Sequence, residues 1–344
     1  MTTRITGRSR CRNRWADLPP ELLEKIGEHL QSRIDVFRYR AVCTSWRSTI
    51  SLSSPSSSTS NFDAFMSPVT ICRLEHQNHR SSACLVKVVQ TPRGNFEVLN
   101  PLTIPKPDFI LGKTLNLLEY RLFELAKGLH FDSSFTSDDL NVQKAVVFRD
   151  CGVVAIYDFG KLGFRVSGDK KWTELGKAIP RYDDILVYQG EYYVMDRFGM
   201  VSLIDKAMNL VKYFPPLNSL ASIGKQKNLV ESDGNLYVVD TYFGGRNIVD
   251  DDGDVIGSKQ ERVDMKVYKL DEKWGTWVLV NSLDDRIFVL GKDVCFSVSV
   301  NDFPGCEGNC IYLIDSSYLE EDLDGYRFDD EEMECTCDSL FRPY

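Results

Sequence analysis

The sequence contains no run of about 18 apolar residues and has only four histidines. A membrane-spanning helix needs about 20 apolar residues, so we predict no membrane span. None of the four histidines lies in a local signature for a catalytic triad. Paired carboxylates are too common in an acidic chain to identify a site. These absences predict a protein that is not an enzyme, with no catalytic residue and no cofactor.

The sequence also lacks the marks of a secreted protein. Residues 1–14 have no apolar h-region, and the ten cysteines follow no regular spacing. We therefore expect free thiols in a reducing compartment, meaning the nucleus, the cytoplasm or both. Residues 1–14 also carry five arginines and no acid. This pattern predicts a basic disordered tail, with a nuclear-import or nucleic-acid patch, or the start of a transit peptide, as alternatives.

Acidic charge is concentrated at the other end of the sequence. Residues 315–344 hold eleven acids and two arginines, a charge of −9, which equals the net charge of the whole chain. Such a run is typical of a solvated segment. It argues against a nucleic-acid partner, because phosphate backbones attract basic rather than acidic surfaces.

Residues 15–50 predict three short helices. The first follows a Leu-Pro-Pro start, which a first helical turn tolerates, and repeats apolar residues at helical spacing: Leu22, Leu23, Ile26 and Leu30. Asp35 is placed to cap a second helix, and a third contains Trp46. A segment of 36 residues is too short to bury a core of its own, so its bulky apolar side chains predict an interface.

A different pattern follows residues 51–62, which predict a serine-rich flexible linker. Short runs rich in Val, Ile, Tyr and Phe alternate with Gly, Asp and Asn turns, as strands do. Four runs consist of a turn, an aromatic-bearing strand and a closing Asp: Gly152–Asp158, Gly190–Asp196, Gly234–Asp240 and Asn309–Asp315.

The closing Asp residues are 38, 44 and 75 positions apart. The first two intervals fit one blade of a β-propeller, and the third leaves room for a blade without this signature. We therefore predict a mainly β protein with a small N-terminal α module and a β-propeller-like domain over residues 63–315. An irregular β-sandwich is the alternative. Residues 316–344 are expected to form an acidic C-terminal segment or a partial last blade.

One segment departs from the strand pattern. Thr114–Gly128 has a capping Thr, leucines at helical spacing and a terminal Gly. These features predict an inserted helix.

Two clusters of polar residues resemble metal sites without matching their spacing. The segment Cys72–Cys84 offers two thiols and two imidazoles, the ligands zinc prefers, but its spacing fits no common zinc motif. Asp250–Glu261 resembles an EF-hand loop, but Val255 occupies the position that needs Gly. We therefore predict no metal.

The first 50 residues resemble the F-box motif. The matching features are Leu18-Pro19, the apolar helix that follows, the segment Asp35–Arg40, and Val42-Cys43 with Trp46-Arg47. The resemblance implies a helical module that binds a Skp-type adaptor and, through it, cullin and RING subunits. The residues expected at the adaptor interface are Leu18, Pro19, Leu22, Ile26, Leu30, Val42, Cys43 and Trp46. The alternative role for some of these, and for Leu23, is to hold the three helices together.

The remainder is similar to the C-terminal domain of a plant F-box family, the SKP-interacting-partner and KIB-like group. The landmarks that carry this resemblance include Asn100–Thr103, Lys113–Glu124, Gly168–Thr173, Asp183–Ile185, Cys295–Ser299 and Asp302–Tyr312. The family resemblance implies a propeller-like domain, in agreement with the repeats.

Together these features predict a substrate receptor of an SCF-type (Skp–cullin–F-box) ubiquitin ligase. Its helices would bind the adaptor, and its β domain would bind a protein substrate that the sequence does not identify. Two alternatives remain open. One is an F-box-like regulatory protein that acts without ubiquitin transfer, and the other is a propeller that binds a small ligand.

Overall fold

The computed structural model describes residues 15, 18–30, 33–50, 66–77, 79–90, 96–99, 120–131, 141–148, 152–166, 169, 171–176, 181–217, 226–249, 255–273, 275–303, 306–314 and 325–327. The chain divides into two compact units, Met1–Ser57 and Ser58–Tyr344. The predicted basic tail, the serine-rich linker and most of the acidic C-terminal segment lie outside the described residues. Among those described, no helix is long and apolar enough to cross a bilayer.

The first unit contains three helices around a very small core. They are α1 (Pro20–Glu28), α2 (Arg33–Ala41) and α3 (Thr44–Thr49). Leu23, Tyr39 and Trp46, one from each helix, are buried against one another. Gly27 allows close packing, because a Cβ there would lie 2.2 Å from Cδ1 of Ile50. The glycine that weakens α1 therefore lets α1 pack against the end of α3.

The described part of the second unit forms five four-stranded antiparallel or mixed sheets, the blades. Blade 1 contains β1 (Met66–His76), β2 (His79–Gln90), β3 (Phe96–Leu99) and β4 (Tyr120–Phe131). Blade 2 contains β5 (Val142–Phe148), β6 (Gly152–Tyr157), β7 (Lys161–Val166) and β8 (Thr173–Glu174). Blade 3 contains β9 (Tyr182–Tyr188), β10 (Glu191–Asp196), β11 (Val201–Ile204) and β12 (Leu210–Phe214).

Blade 4 contains β13 (Gln226–Ser232), β14 (Asn235–Val249), β15 (Val255–Asp271) and β16 (Thr276–Val280). Blade 5 contains β17 (Arg286–Gly291), β18 (Phe296–Ser299), β19 (Cys310–Ile314) and β20 (Gly325–Arg327). Its strand order is β18-β17-β19-β20, and β17 and β19 are parallel.

The blades are arranged as a closed ring. One strand from each blade (β4, β5, β9, β13 and β18) contacts the corresponding strand of both neighbouring blades. Each pair of neighbouring blades also shares one buried apolar cluster. This arrangement confirms the predicted propeller and sets its size at five blades, and it does not fit the β-sandwich alternative.

Blades 1 and 5 meet at a close backbone contact and a buried ion cluster. A Cβ on Gly128 of β4 would lie 2.4 Å from the carbonyl oxygen of Asp293, in the turn between β17 and β18. Nζ of Lys87 lies 2.5 Å from the Asp293 carboxylate, and Nδ1 of His130 lies 3.1 Å from it. Burial alone would raise the pKa of Asp293, but the hydrogen bond from His130 and the charge of Lys87 lower it.

The repeat prediction is correct for three of its four members. The first three runs form the second strand of blades 2, 3 and 4, namely β6, β10 and β14. The fourth forms β19, the third strand of blade 5. The expectation of an extra blade in the interval of 75 residues is wrong. That interval holds the rest of blade 4, including a long hairpin, and the strands β17 and β18.

The predicted helix at Thr114–Gly128 is also wrong. Residues 120–131 form β4, which pairs along its length with β1, and residues 114–119 lie outside the described residues. An extra residue, Leu125, interrupts the β alternation at the register shift between Ile71 and Cys72. The leucine spacing resembles a helix because a strand with a bulge does not keep strict alternation.

The expectation of free thiols holds for five described cysteines and fails for one. Cys43, Cys72, Cys84, Cys295 and Cys306 are not disulfide-bonded. Cys310 is disulfide-bonded, and its partner lies outside the described residues. The irregular cysteine spacing could not indicate this bond, because spacing alone does not determine which cysteines meet in the fold.

Replacement of Gly128 by Ala should destabilise the propeller. The clash is with backbone, which cannot turn away as a side chain can, so we expect a cost of about 1–3 kcal/mol. Gly152→Ala is the control, because its φ is not positive and a Cβ there would lie no closer than 3.3 Å to a neighbouring atom. Denaturant unfolding of both variants measures the difference. Equal destabilisation would show that ring closure does not depend on this contact.

Candidate functional site

The residues predicted at the adaptor interface divide into three groups by burial. Pro19, Leu22 and Val42 are exposed, with 48% of both Leu22 and Val42 accessible to solvent. Trp46 is only 8% exposed. The rest are partly buried and pack against the small core: Leu18, Ile26, Leu30 and Cys43.

Leu22 and Leu23 are adjacent in sequence but lie in opposite environments. Leu23 is 0% exposed, whereas Leu22 leaves half of its surface to solvent. Its exposure, with that of Pro19 and Val42, gives the first unit an apolar surface that its own core does not use. We call these three residues the exposed apolar set. They are the part of the predicted interface that a partner can reach without unfolding the helices.

Trp46 has a structural role in this unit. Its ring lies 4.6 Å from that of Tyr39, centroid to centroid, and its Nε1 donates a hydrogen bond of 2.9 Å to the carbonyl of Trp15. The Tyr39 hydroxyl in turn donates to the carbonyl of Leu23 at 2.8 Å. The alternative role for Leu23 and Trp46, holding the helices together, is therefore the one the packing supports. Adaptor contact by Trp46 stays a prediction.

The segment that resembled a zinc site lies in the hairpin of β1 and β2. Cys72 and Cys84 are buried in these strands, and burial raises the pKa of Cys84 to about 11. Zinc binds the thiolate, which this environment disfavours. The His76 ring contacts Tyr120 edge to face, and the side chain of His79 is not described. Within the described residues no group of three potential ligands is placed to hold a metal. The acidic run at 250–254 lies outside them.

A buried polar network crosses the centre of the propeller. We define the central network as Lys144 of β5, Asp184 of β9, Asn228 of β13 and Cys295, which precedes β18. Nζ of Lys144 lies 2.5 Å from Oδ1 of Asp184 and 3.3 Å from Sγ of Cys295. Nδ2 of Asn228 lies 3.7 Å from the same sulfur. Four of the five blades are thus joined through side chains at the ring centre.

Backbone donors from two blades complete this network. The amides of Ile185 and Leu229 each donate a 2.7 Å hydrogen bond to the Asp184 carboxylate. Burial opposes a charge on Lys144, but the Asp184 carboxylate raises the pKa of this amine above its usual value. Burial also raises the pKa of Cys295. Cys295 is therefore a neutral buried thiol, which is an unreactive form.

Sequence reasoning did not assign a role to the central network. Its members are 40 or more positions apart, and no spacing pattern connects residues of different blades. The available signal was indirect, since Asp184 and Cys295 lie within the landmarks Asp183–Ile185 and Cys295–Ser299.

Asp183 is the other unusual carboxylate near the centre. Burial raises its pKa to about 7, although the charges of Lys227 and Arg197 partly offset this effect. Its Oδ2 accepts no hydrogen bond from the described residues. Asp183 therefore changes charge near neutral pH, unlike an ordinary aspartate.

The two units match two family models. Residues 15–53 match the model described as F-box-like, and residues 50–335 match the KIB1-4 beta-propeller. Three Arabidopsis thaliana proteins are similar over most of their length. F-box protein SKIP23 is 27% identical, covering 90% of this chain and 86% of that protein. F-box protein At4g35733 is 27% identical (89% and 90%), and F-box protein At2g17036 is 28% identical (86% and 81%).

Lys144→Met should strongly destabilise the propeller. It leaves the Asp184 carboxylate buried without its cation, which typically costs about 3–5 kcal/mol. Lys161→Met is the control, because Lys161 lies in the same blade and its side chain is 48% exposed. We expect the control to change stability by less than about 0.5 kcal/mol in denaturant unfolding. Similar losses in both variants would contradict a supporting role for the network.

Asp183→Asn should stabilise the protein more at pH 8 than at pH 5. The pKa in the folded state is about 7 and the ordinary value is 3.8, so the folded state retains a proton between them. Stability from this group is fully present below pH 3.8 and is lost progressively as pH rises to about 7. Asn cannot ionise and avoids that loss. Melting temperatures at the two pH values measure the effect, with exposed Glu191→Gln as control. A pH-independent difference would refute the shifted pKa.

Proposed function

This chain belongs to the F-box proteins with a KIB1-4 beta-propeller, and from that premise we propose that it is a substrate receptor of an SCF-type ubiquitin ligase. Its helical unit binds a Skp-type adaptor, which links it to cullin and RING subunits. Its propeller binds a target protein. We propose that it works in the nucleus, the cytoplasm or both.

The observation that carries this proposal is the exposed apolar set. Among its described residues the unit buries three side chains in its core and leaves Leu22 and Val42 half exposed. Burying one aliphatic side chain contributes about 1.5–3 kcal/mol, so covering this surface with an adaptor gives a substantial gain. Trp15, which is 70% exposed, adds a large aromatic side chain to the apolar surface of the described part of this unit.

The proposed mechanism is positional and involves no bond chemistry by this chain. Binding of a target to the propeller and of the adaptor to the helices holds target lysines near a ubiquitin-charged enzyme. The gain is an increase in effective concentration. A rigid scaffold favours this role, because the buried network and the closed ring limit internal motion of the propeller.

Charge substitution in the exposed apolar set should abolish adaptor binding without unfolding the protein. We expect Leu22→Asp with Val42→Asp to weaken binding by at least about tenfold, as loss of central apolar contacts does. Leu18→Ala with Pro19→Ala should weaken it as well. Leu23→Ala should instead lower the melting temperature, because Leu23 is 0% exposed. Affinity for a purified Skp-type adaptor and thermal unfolding separate the two effects.

The propeller offers a matched control for this experiment. Leu279 and Val278 of β16 are 51% and 50% exposed, close to the values for Leu22 and Val42. Leu279→Asp with Val278→Asp should leave adaptor binding unchanged. Failure of the wild-type chain to bind the adaptor, or equal binding by all variants, would refute the proposal. Adaptor binding without ubiquitin transfer in a reconstituted ligase would favour the regulatory alternative.

A further inference from the structure

One end of the propeller presents two exposed phenylalanines at equivalent positions. The inner strands β5, β9 and β13 begin at this end. Their first residues pair with residues at the end of β6, at the end of β10 and at the point where β14 leaves β13. These pairs are Val142 with Tyr157, Tyr182 with Asp196 and Gln226 with Thr241. The turns after β6 and β10 are therefore at this end too. They contain Phe159 and Phe198, which are 72% and 47% exposed.

The Phe159 turn has an unfavourable backbone conformation for its residues. Asp158 and Phe159 have φ values of +43° and +64°. Positive φ suits Gly or Asn, and a bulky residue there is strained. Neither packing nor turn geometry favours Phe at this position, so its presence indicates a role outside the fold.

Backbone hydrogen bonds hold the two turns together. The amide of Tyr182 donates to the carbonyl of Gly160 at 2.8 Å, and the amide of Arg197 donates to the carbonyl of Arg181 at 2.8 Å. Arg181 thus lies between the two turns at the start of β9. We define the aromatic–arginine patch as Phe159, Arg181, Arg197 and Phe198, all of them exposed.

Arg181 and Arg197 supply the positive charge of this patch. The acids of both turns are engaged by backbone: Asp158 accepts from the amide of Asn141, and Asp196 accepts from the amides of Phe198 and Met200. In the described part of the chain, no carboxylate forms an ion pair with Arg181 or Arg197. Arg197 acts on Asp183 through its charge, and both guanidinium groups are exposed beside two aromatic rings.

We propose that the aromatic–arginine patch is the surface of the propeller that binds the target, through a peptide segment carrying apolar and acidic residues. Phe and Arg are both enriched at protein interfaces, and Arg binds carboxylates in a bidentate manner. Residues 242–249 of β14 extend past the start of β13 and pair with β15. This part of the β14–β15 hairpin therefore projects from the same end of the propeller. This proposal rests on the proposed receptor function, and the experiment distinguishes failure of the patch proposal from failure of the receptor function.

The test uses the full chain and a phage-displayed library of random linear peptides as the probe. We expect the selected peptides to combine acidic and apolar residues. Phe159→Gly with Phe198→Ala should weaken binding of these peptides by at least about tenfold. Gly relieves the positive φ at position 159, so Phe159→Gly alone should leave the melting temperature unchanged or higher. A loss of binding in that single variant is therefore not a loss of fold.

Charge reversal gives a second and positive readout. Arg181→Glu with Arg197→Glu should reject the original peptides and select basic ones, an outcome that structural damage cannot produce. Val278→Asp with Leu279→Asp should leave peptide binding unchanged. Selected peptides that are insensitive to the patch, or that are basic with the wild-type chain, would overturn the proposal.

Adaptor binding distinguishes this inference from the receptor function. The patch variants should bind the Skp-type adaptor as the wild type does. If adaptor binding is intact and no selected peptide depends on the patch, the patch inference fails and the receptor proposal stands. If peptides depend on the patch but the adaptor does not bind, the receptor proposal fails alone.

Discussion

Ring closure between the first and last blades is the contact on which the propeller depends. A ring of sheets buries its apolar surfaces only if every blade has two neighbours, and β4 and β18 supply the last pair. Gly128 makes the approach possible sterically. Asp293 reinforces it through Lys87 and His130, whose charges and hydrogen bonds outweigh the burial of the carboxylate.

The central network provides a second constraint on the arrangement of the blades. Apolar clusters hold neighbouring blades together, whereas Lys144 and its partners join blades across the ring. A buried hydrogen-bond network of this kind is directional, so it defines one arrangement of the inner strands. The turns that carry Phe159 and Phe198 follow β6 and β10, which pair with inner strands, so the inner strands fix the positions of these turns. A rigid interior thereby supports an exposed surface of defined geometry.

The helical unit divides its apolar residues between a small core and an exposed surface. Its core needs Leu23, Tyr39 and Trp46, so the Trp46 side chain is largely covered within the unit. Helical periodicity correctly identified an apolar face on α1, but period alone does not separate Leu22 from Leu23. Only the positions of α2 and α3 decide which leucine is covered. For the same reason, residue type marked Trp46 as an interface residue, while the packing places it inside.

The sequence by itself determined the two-part organisation, the strand repeats of blades 2 to 4 and the short helices, because these follow from local periodicity and turn chemistry. It misassigned β4 as a helix, because a bulged strand and a short helix can show the same leucine spacing. Tertiary structure alone decided the blade number, the ring closure and the central network. The residues that meet in these contacts are far apart in the sequence. Lys144 and Cys295, for example, are separated by 151 positions, and no local pattern encodes a contact between such distant strands.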